Sequence, residues 1–546
     1  MSGRRKEIDR SSEFHTSEIM KKVLEDHPQF QEKLYCRGFL LTDNDNIDFS
    51  GYPFYGNWTG SRLGKYILAV HKDAHSFFYK DDRGRIFFLA GHAYNPYTMQ
   101  EKEEDILNCL ALAYAVSEEK YWDAESELTG VFCTGIVLKN GNLIMSTDCC
   151  GMQLVYHGTV GGHLYVTSHS KLVADLENLQ RDDYITRLVN DKYFYYWGTW
   201  LPGDCSPFKE LKRMQPNCAM YYSGKAVRIR RYYPKHKIEE VRTEAEYQEI
   251  IHELGRIMHN NMELIARKWP GQTAISVTGG RDSMTALACS NGLYDQYRHF
   301  SYISNYDESV DAYAAEKICK HLGIDHTIYK IPEDGAECYK GIEAFKKVME
   351  CNAGCIGVNN YNDLKKRMYF SENPPCDIEV KSWVNEMGRG WYWNKYNKKK
   401  FPQYPYVGYW RAMHKLYLSP RIIRETDKVF DGYLKKYYNK ETFDNLSWLE
   451  LYFWEFSWSG GEGVFLTSEH RVSYDITVPF NNRKYVELML KVPLDKRKND
   501  SIPDDLITYM EPRIAETGII IHDVSHTKFR ALSVRMYLEL FSRIRF

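Results

Sequence analysis

The stretch Thr273–Leu287, TAISVTGGRDSMTAL, decides how the chain is read. A β-type run from Thr273 to Val277 meets two glycines, then an Asp–Ser pair, then a run patterned as a helix. Gly279 and Gly280 let the backbone bend sharply and approach a ligand with no Cβ between them. Amides there and in the first helical turn lack carbonyl partners, so they are expected to point outward, unpaired, as an anion cradle. Thr278 and Ser283 add hydroxyl donors. Asp282 would repel a phosphate unless it holds Mg²⁺, which then bridges to the phosphate oxygens. The bland alternative is a plain strand-to-helix turn with Asp or Ser as N-cap. The fixed order of hydroxyl, two glycines, acid and hydroxyl favours the cradle. No G-x-x-x-x-G-K-[ST] and no G-x-G-x-x-G is present, so the turn is neither a Walker loop nor a dinucleotide fingerprint.

Outward from the turn the pattern alternates. RHFSYIS is a strand, VDAYAAEKICKHLGI a helix and HTIYKI a strand, and a long helix, YQEIIHELGRIMHNNMELIARKW, precedes the turn. This βαβαβ order predicts a parallel sheet with helices on its faces. Beyond Glu343 the chain reads as mainly helical. From Leu34 to about Tyr233 it is mostly β: KLYCRGFLL, GKYILAVH, GRIFFLAGH, GVFCTGIVL, GNLIMSTD and GGHLYVTS are short runs between turn residues. One helical insert, EEDILNCLALAYAVSEEKYW, lies among them. The charged connection Lys235–Thr243 marks the boundary. The expected division is an N-terminal extension 1–33, a layered α+β domain 34–235 and a second domain 236–546.

The 546 residues carry a net charge of -1, from 72 basic and 73 acidic residues, which gives no support for a dedicated nucleic-acid partner or a polybasic membrane protein. Hydrophobic residues make up 43%, enough for large cores. The 13 cysteines include no CxxC pair, so a zinc ribbon has no foothold, and Cys149–Cys150 read as free thiols of a reducing compartment. The start, MSGRRKEIDRSSEF, has no apolar segment behind it and no run is long enough to span a bilayer, so a cytoplasmic protein is expected.

The turn resembles the pyrophosphate loop, S-G-G-x-D-S, of the ATP pyrophosphatase superfamily, with Thr278 in the first position. Those enzymes cleave ATP between the α- and β-phosphates, adenylate a substrate oxygen, and let a nitrogen or sulfur nucleophile displace AMP. The N-terminal half resembles the glutaminase-type domain of the asparagine synthetase family through Gly130, Phe132, Asp148, Gly151, Leu154, Tyr156 and Ser168. Val478, Pro479 and Phe480 match that family's late R-x-P-F-L-D segment. The resemblance implies an Ntn-hydrolase-like α+β sandwich, then an α/β adenine nucleotide α-hydrolase-like (PP-loop) domain with a helical C-terminal part. It implies ATP and Mg²⁺ as cofactors and Ser276, Thr278, Gly279, Gly280, Asp282, Ser283 and Ile303 at the nucleotide, with Asp282 on the metal.

Two departures shape the functional expectation. The family's glutaminase nucleophile is an N-terminal cysteine, whereas this chain begins Met-Ser-Gly and its nearest cysteine is Cys36, in the expected first strand. A degenerate glutaminase-like domain follows, as in the β-lactam synthetase and lasso-peptide cyclase branches. The family's acidic loop, G-E-G-x-D-E, is replaced by KSWVNEMGRGWYW. Glu386 is then the candidate general base and Arg389 the candidate stabiliser of developing phosphate charge. The family's late lysine has no clear counterpart; Lys381, Lys496 and Arg497 are substitutes. The expected activity is an ATP-dependent amide-forming ligase acting on a small-molecule, sugar-acid or peptide carboxylate. Ammonia or an amine, from a separate glutaminase if one is used, is the nitrogen donor, and a homodimer is admissible. Asparagine synthesis, adenylation of another kind such as tRNA thiolation, and non-catalytic ATP binding are the alternatives. Asp311 and His326 read as a bland helix surface and a satisfied strand-end histidine. KYFYYWGTW, GRGWYWNKY, QYPYVGYW and LYFWEFSW read mainly as core packing, and RALSVRMYLELFSRIRF as a basic amphipathic helix docking on its own protein rather than on a membrane.

Overall fold

The structure is a computed structural model that describes residues 14–191, 194, 200–357, 360–414, 419–519 and 528–544. Most of KYFYYWGTW lies outside the described residues. The chain is a mixed α/β protein with two antiparallel sheets in its first half and one parallel sheet in its second. Strands of the first half are β1 (Phe39–Thr42), β2 (Trp58–Leu63), β3 (Tyr66–His71), β4 (Ser76–Lys80), β5 (Ile86–Tyr94), β6 (Thr129–Val137), β7 (Leu143–Thr147), β8 (Tyr156–Val160), β9 (His163–Thr167), β10 (Leu211–Arg213), β11 (Cys218–Tyr222) and β12 (Val227–Arg231). One sheet has the order β10-β8-β9-β1-β3-β2 and the other β12-β11-β7-β6-β5-β4.

Alternation along the strands sets the layers. Phe39 and Leu41 of β1 face Phe88, Cys133 and Met145 of the other sheet in a shared core. Leu40, between them in sequence, turns the other way into a cluster with Met20, Phe345 and Met349. Phe87 and Leu89 likewise face the helices Glu103–Val116 and Glu118–Glu125. The result is a helix–sheet–sheet–helix stack. The expected single helical insert is two helices, because Ser117 ends the first with extended backbone and accepts the Lys120 amide as N-cap of the second. The expected first strand is also shorter: β1 begins at Phe39, and Cys36 lies in the turn before it, where Tyr35 and Arg37 both take positive φ.

The second half carries β13 (Thr273–Ser276), β14 (Arg298–Ile303), β15 (Thr327–Lys330), β16 (Ile378–Val380) and β17 (Asp475–Thr477), in the order β15-β14-β13-β16-β17. Every pairing in this sheet is parallel, as the alternating pattern predicts. The order reverses at β13, so the crevice beyond its carboxyl end is where an open sheet of this kind receives ligands. A π-helix, Tyr452–Glu462, leads into the helix Gly463–Ser468 ahead of β17. The halves are pinned together by buried polar bonds. Arg483 reaches Glu125 (Nη1–Oε1 3.0 Å), and Asn481 donates to the Gly130 carbonyl at 2.7 Å. The C-terminal helix Lys528–Phe541 packs on Trp391–Tyr396 and Val407–His414, burying Leu538, as expected of a helix docking on its own protein. All 13 cysteines are free thiols, and among the described residues no helix is long and apolar enough to cross a membrane.

Candidate functional site

The glycine turn sits where β13 ends and the helix Arg281–Cys289 begins, with Gly280 as N-cap. Thr278 and Ser283 close it: their hydroxyls are 2.8 Å apart, and Ser283 Oγ accepts the Thr278 amide at 3.0 Å. The expectation that the turn's amides point outward unpaired is corrected for Gly280. The Gly280 amide donates to Thr278 Oγ1 at 3.1 Å, and the Gly279 amide lies near the Asp311 carboxylate. Positive ends of helices attract whatever acceptors lie nearby, and these side chains supply them. Asp311 therefore lies beside the turn and is half-buried, not a plain helix surface. Burial raises its carboxyl above the ordinary value, and the Gly279 amide opposes that rise. His326 bonds Ser301 Oγ at 2.8 Å, which in turn donates to the Val277 carbonyl, so this histidine braces the strand that carries the turn.

Asp282 is the centre of a charged network. Asn385 donates to its Oδ1 at 2.9 Å, and Arg389 Nη1 lies 3.3 Å from its Oδ2. Arg389 also binds Asp500 (Nε–Oδ1 2.7 Å), and Arg281 binds Asp504 at 2.6 Å and Asp500 at 3.3 Å. Burial raises the Asp282 carboxyl, while Arg389 pulls it back. Glu386 is raised well above the carboxylate range, first by burial and then by the Asp282 charge. Asp282 and the distant pair Glu386 and Arg389 thus form one cluster at the strand ends. Ser276 and Ile303 end β13 and β14 on the same edge, each half-buried.

A second polar cluster adjoins this one. Lys381, just past β16, is 3.0 Å from Glu379 and faces Glu462 at the end of the π-helix. Burial pushes the Glu462 carboxyl up to about 7, with Lys381 opposing, and that of Glu469 up to about 8, with Arg367 opposing. Arg367 lies 3.5 Å from His470, whose ring meets Trp383 edge-on at 5.0 Å. Buried polar atoms with no protein partner concentrate here: Glu379 Oε2, Ser382 Oγ, Asn385 Oδ1, Glu386 Oε2, Arg367 Nε, Thr467 Oγ1 and His470 Nδ1. Buried polar groups are ordinarily paired, so these atoms are free to meet a polar partner. Of the three substitute cations, Lys381 alone stands here. Lys496 binds Glu244 and Arg497 binds Glu450, both through contacts away from the turn. Sequence reasoning missed Asp500, Glu462, Glu469 and Arg367. Glu462 had one signal, the run Gly460-Gly461-Glu462-Gly463, since small neighbours let a helix approach another surface closely.

No protein-family model matches the chain, and no curated protein matches it. Among solved structures, it is similar to one titled the allosteric regulatory enzyme of purine biosynthesis, at 10% identity and TM-score 0.24, covering 48% of this chain and 59% of that one. A second is glutamine phosphoribosylpyrophosphate amidotransferase from B. subtilis complexed with ADP and GMP, at 10% identity and TM-score 0.22, covering 58% and 64%. The chain thus spans about three-fifths of each structure's length. Likenesses at these scores assign neither fold nor activity.

Proposed function

We propose that the protein is an ATP-dependent amide-forming ligase, similar in design to the asparagine synthetase family, that adenylates a carboxylate and passes the acyl group to ammonia or an amine. One observation carries this reading. The Thr-Gly-Gly-Arg-Asp-Ser turn stands at the carboxyl edge of an all-parallel sheet, at its reversal point, near a set of buried charged and polar side chains. Ser276, Thr278, Gly279, Gly280, Ser283 and Ile303 would border the nucleotide, and the amides of the first helical turn would meet its phosphates. Asp282 would hold Mg²⁺, a fit favoured by the acids Glu386 and Asp500 close by; bound there, the metal would neutralise phosphate charge. Arg389 and Arg281 would trade part of their bonding to Asp500 for phosphate oxygens as pyrophosphate leaves.

The substrate carboxylate would lie in the second cluster, with Lys381 against its charge. An incoming amine must lose a proton after attack. Burial and the Asp282 charge hold the Glu386 carboxyl well above the carboxylate range, while Glu462, at about 7, is poised to accept one. In this reading Glu462 takes the amine's proton and Glu386 shapes the phosphate side. Pyrophosphate release measured over a panel of amino acids, uronates and peptides, with ammonia, amines or glutamine, tests the proposal. Release with one acid and one nitrogen donor is the expected result. Tight Mg-ATP binding with no release on any acid would overturn it in favour of a binding protein. Aspartate as the acid would make the reaction asparagine synthesis.

A further inference from the structure

The helix Lys528–Phe541 docks with one face and leaves another bare. Leu538 is fully buried, while Leu532, Met536 and Leu540 are 49, 57 and 61% exposed, and Ile544, four residues further on, is 41% exposed. Spaced by four within the helix, Leu532, Met536 and Leu540 form one apolar stripe about 12 Å long, at 1.5 Å per residue, and Ile544 lies just past its end. The surroundings are cationic. Arg535 Nη1 donates to the Asn397 carbonyl at 3.4 Å, and Lys398 pairs with Glu539, so the segment Lys398–Lys400 runs beside the helix. Arg535 and Arg543 are exposed there, Lys399 and Lys400 follow Lys398 in the chain and are exposed, and the helix's acid, Glu539, pairs with Lys398 and Arg543. In a chain whose net charge is -1, this local excess is a property of the patch and not of the composition.

From this stripe and its cationic border we propose that the C-terminal helix seats the protein on an anionic lipid surface, with the stripe at the acyl boundary and the bases among the headgroups. Charge decides the occupant. A second copy laid on the same face would bring like charges together, whereas anionic headgroups complement them. The helix lies on the surface and does not span it, which suits an amphipathic segment with a basic polar flank.

Co-sedimentation with vesicles of phosphatidylcholine alone and of an equimolar phosphatidylglycerol–phosphatidylcholine mixture tests this on the full chain. Binding to the mixed vesicles, weak binding to phosphatidylcholine, and loss on adding salt are expected. Met536→Glu with Leu540→Glu should abolish binding. Neutralising Lys399, Lys400, Arg535 and Arg543 to Gln should weaken it by about tenfold or more. These positions are exposed, so both variants should melt like the wild type; if the Glu pair does not, Met536→Ser with Leu540→Ser carries the same test. Equal binding to both vesicle types, or to neither, overturns the proposal. A dimer in light scattering that the Met536/Leu540 substitutions split would also overturn it and assign the stripe to a second copy.

Discussion

Asp282 carries the strongest single-residue prediction. Asn in its place keeps the shape, but removes the charge that Arg389 faces and that a metal would need. Asp282→Asn is expected to lower pyrophosphate release by about a hundredfold or more. Full release by that variant would remove the metal role. Glu462 offers a second test at this scale, in stability. Burial lifts its folded-state value from 4.5 to about 7, so the folded protein holds that proton more tightly than the unfolded chain. The stability linked to this group is therefore full below pH 4.5, falls as pH rises towards 7, and is lost above it. Glu462→Gln cannot ionise and should be more stable than the wild type at pH 8, by about 1–3 kcal/mol, and equal to it at pH 4. Chemical denaturation at the two pH values checks this; a variant less stable at pH 8 would mean the carboxylate is paired more strongly than Lys381 alone allows. Amide formation should show the same group with opposite sense, rising through pH 7 in the wild type and losing that rise in Glu462→Gln.

At the scale of elements, the π-helix Tyr452–Glu462 matters most, because it delivers Glu462 to the site. Such turns are uncommon and concentrate at functional sites. Glycines hold this one against the first half. A Cβ on Gly463 would stand 2.5 Å from the Gly151 carbonyl oxygen, and one on Gly151 would stand 2.8 Å from Ser459 Cβ. Gly463 has ordinary helical backbone, so in isolation Ala would gain about 1 kcal/mol there. Gly463→Ala should instead cost about 1–3 kcal/mol, since the clash is with backbone that cannot swing aside. A stabilised variant, measured by denaturant midpoint, would show that the contact is looser than drawn. This element also shows where sequence reading stops. The β13 turn was legible because its residues are local and ordered, and the parallel sheet because strands and helices alternate. Nothing local announced that Arg389 and Asp500 would gather at Asp282, or that Tyr452–Glu462 would wind as a π-helix, since both follow from packing between segments far apart in the chain. The Gly280 amide was misread for a local reason: its acceptor, Thr278 Oγ1, reaches it only once the turn has closed.

Over the whole molecule, the residues that carry the family resemblance in the first half turn out to hold the halves together. The Asp148 carboxylate accepts the Phe132, Met152 and Gln153 amides at 3.2, 2.8 and 2.6 Å, which shapes the turn that presents Gly151 to the π-helix. Gly130 offers its carbonyl to Asn481. The layered first half thus forms the wall against which the second half builds its site. The Arg483–Glu125 pair tests that idea. Arg483 also donates to the Thr147 carbonyl at 2.8 Å and to Asn217 at 2.9 Å, all fully buried. Removing one partner of a buried ion pair leaves the other charge uncompensated, so Arg483→Met should cost about 3–5 kcal/mol. Adding Glu125→Leu should return a large part of that loss, because both charges are then gone. The fold would unfold as one cooperative unit in the wild type, with both halves sharing a midpoint. If Arg483→Met instead costs under about 1 kcal/mol, or splits the unfolding curve without moving the first half's midpoint, the halves are independent and the first is no scaffold for the second.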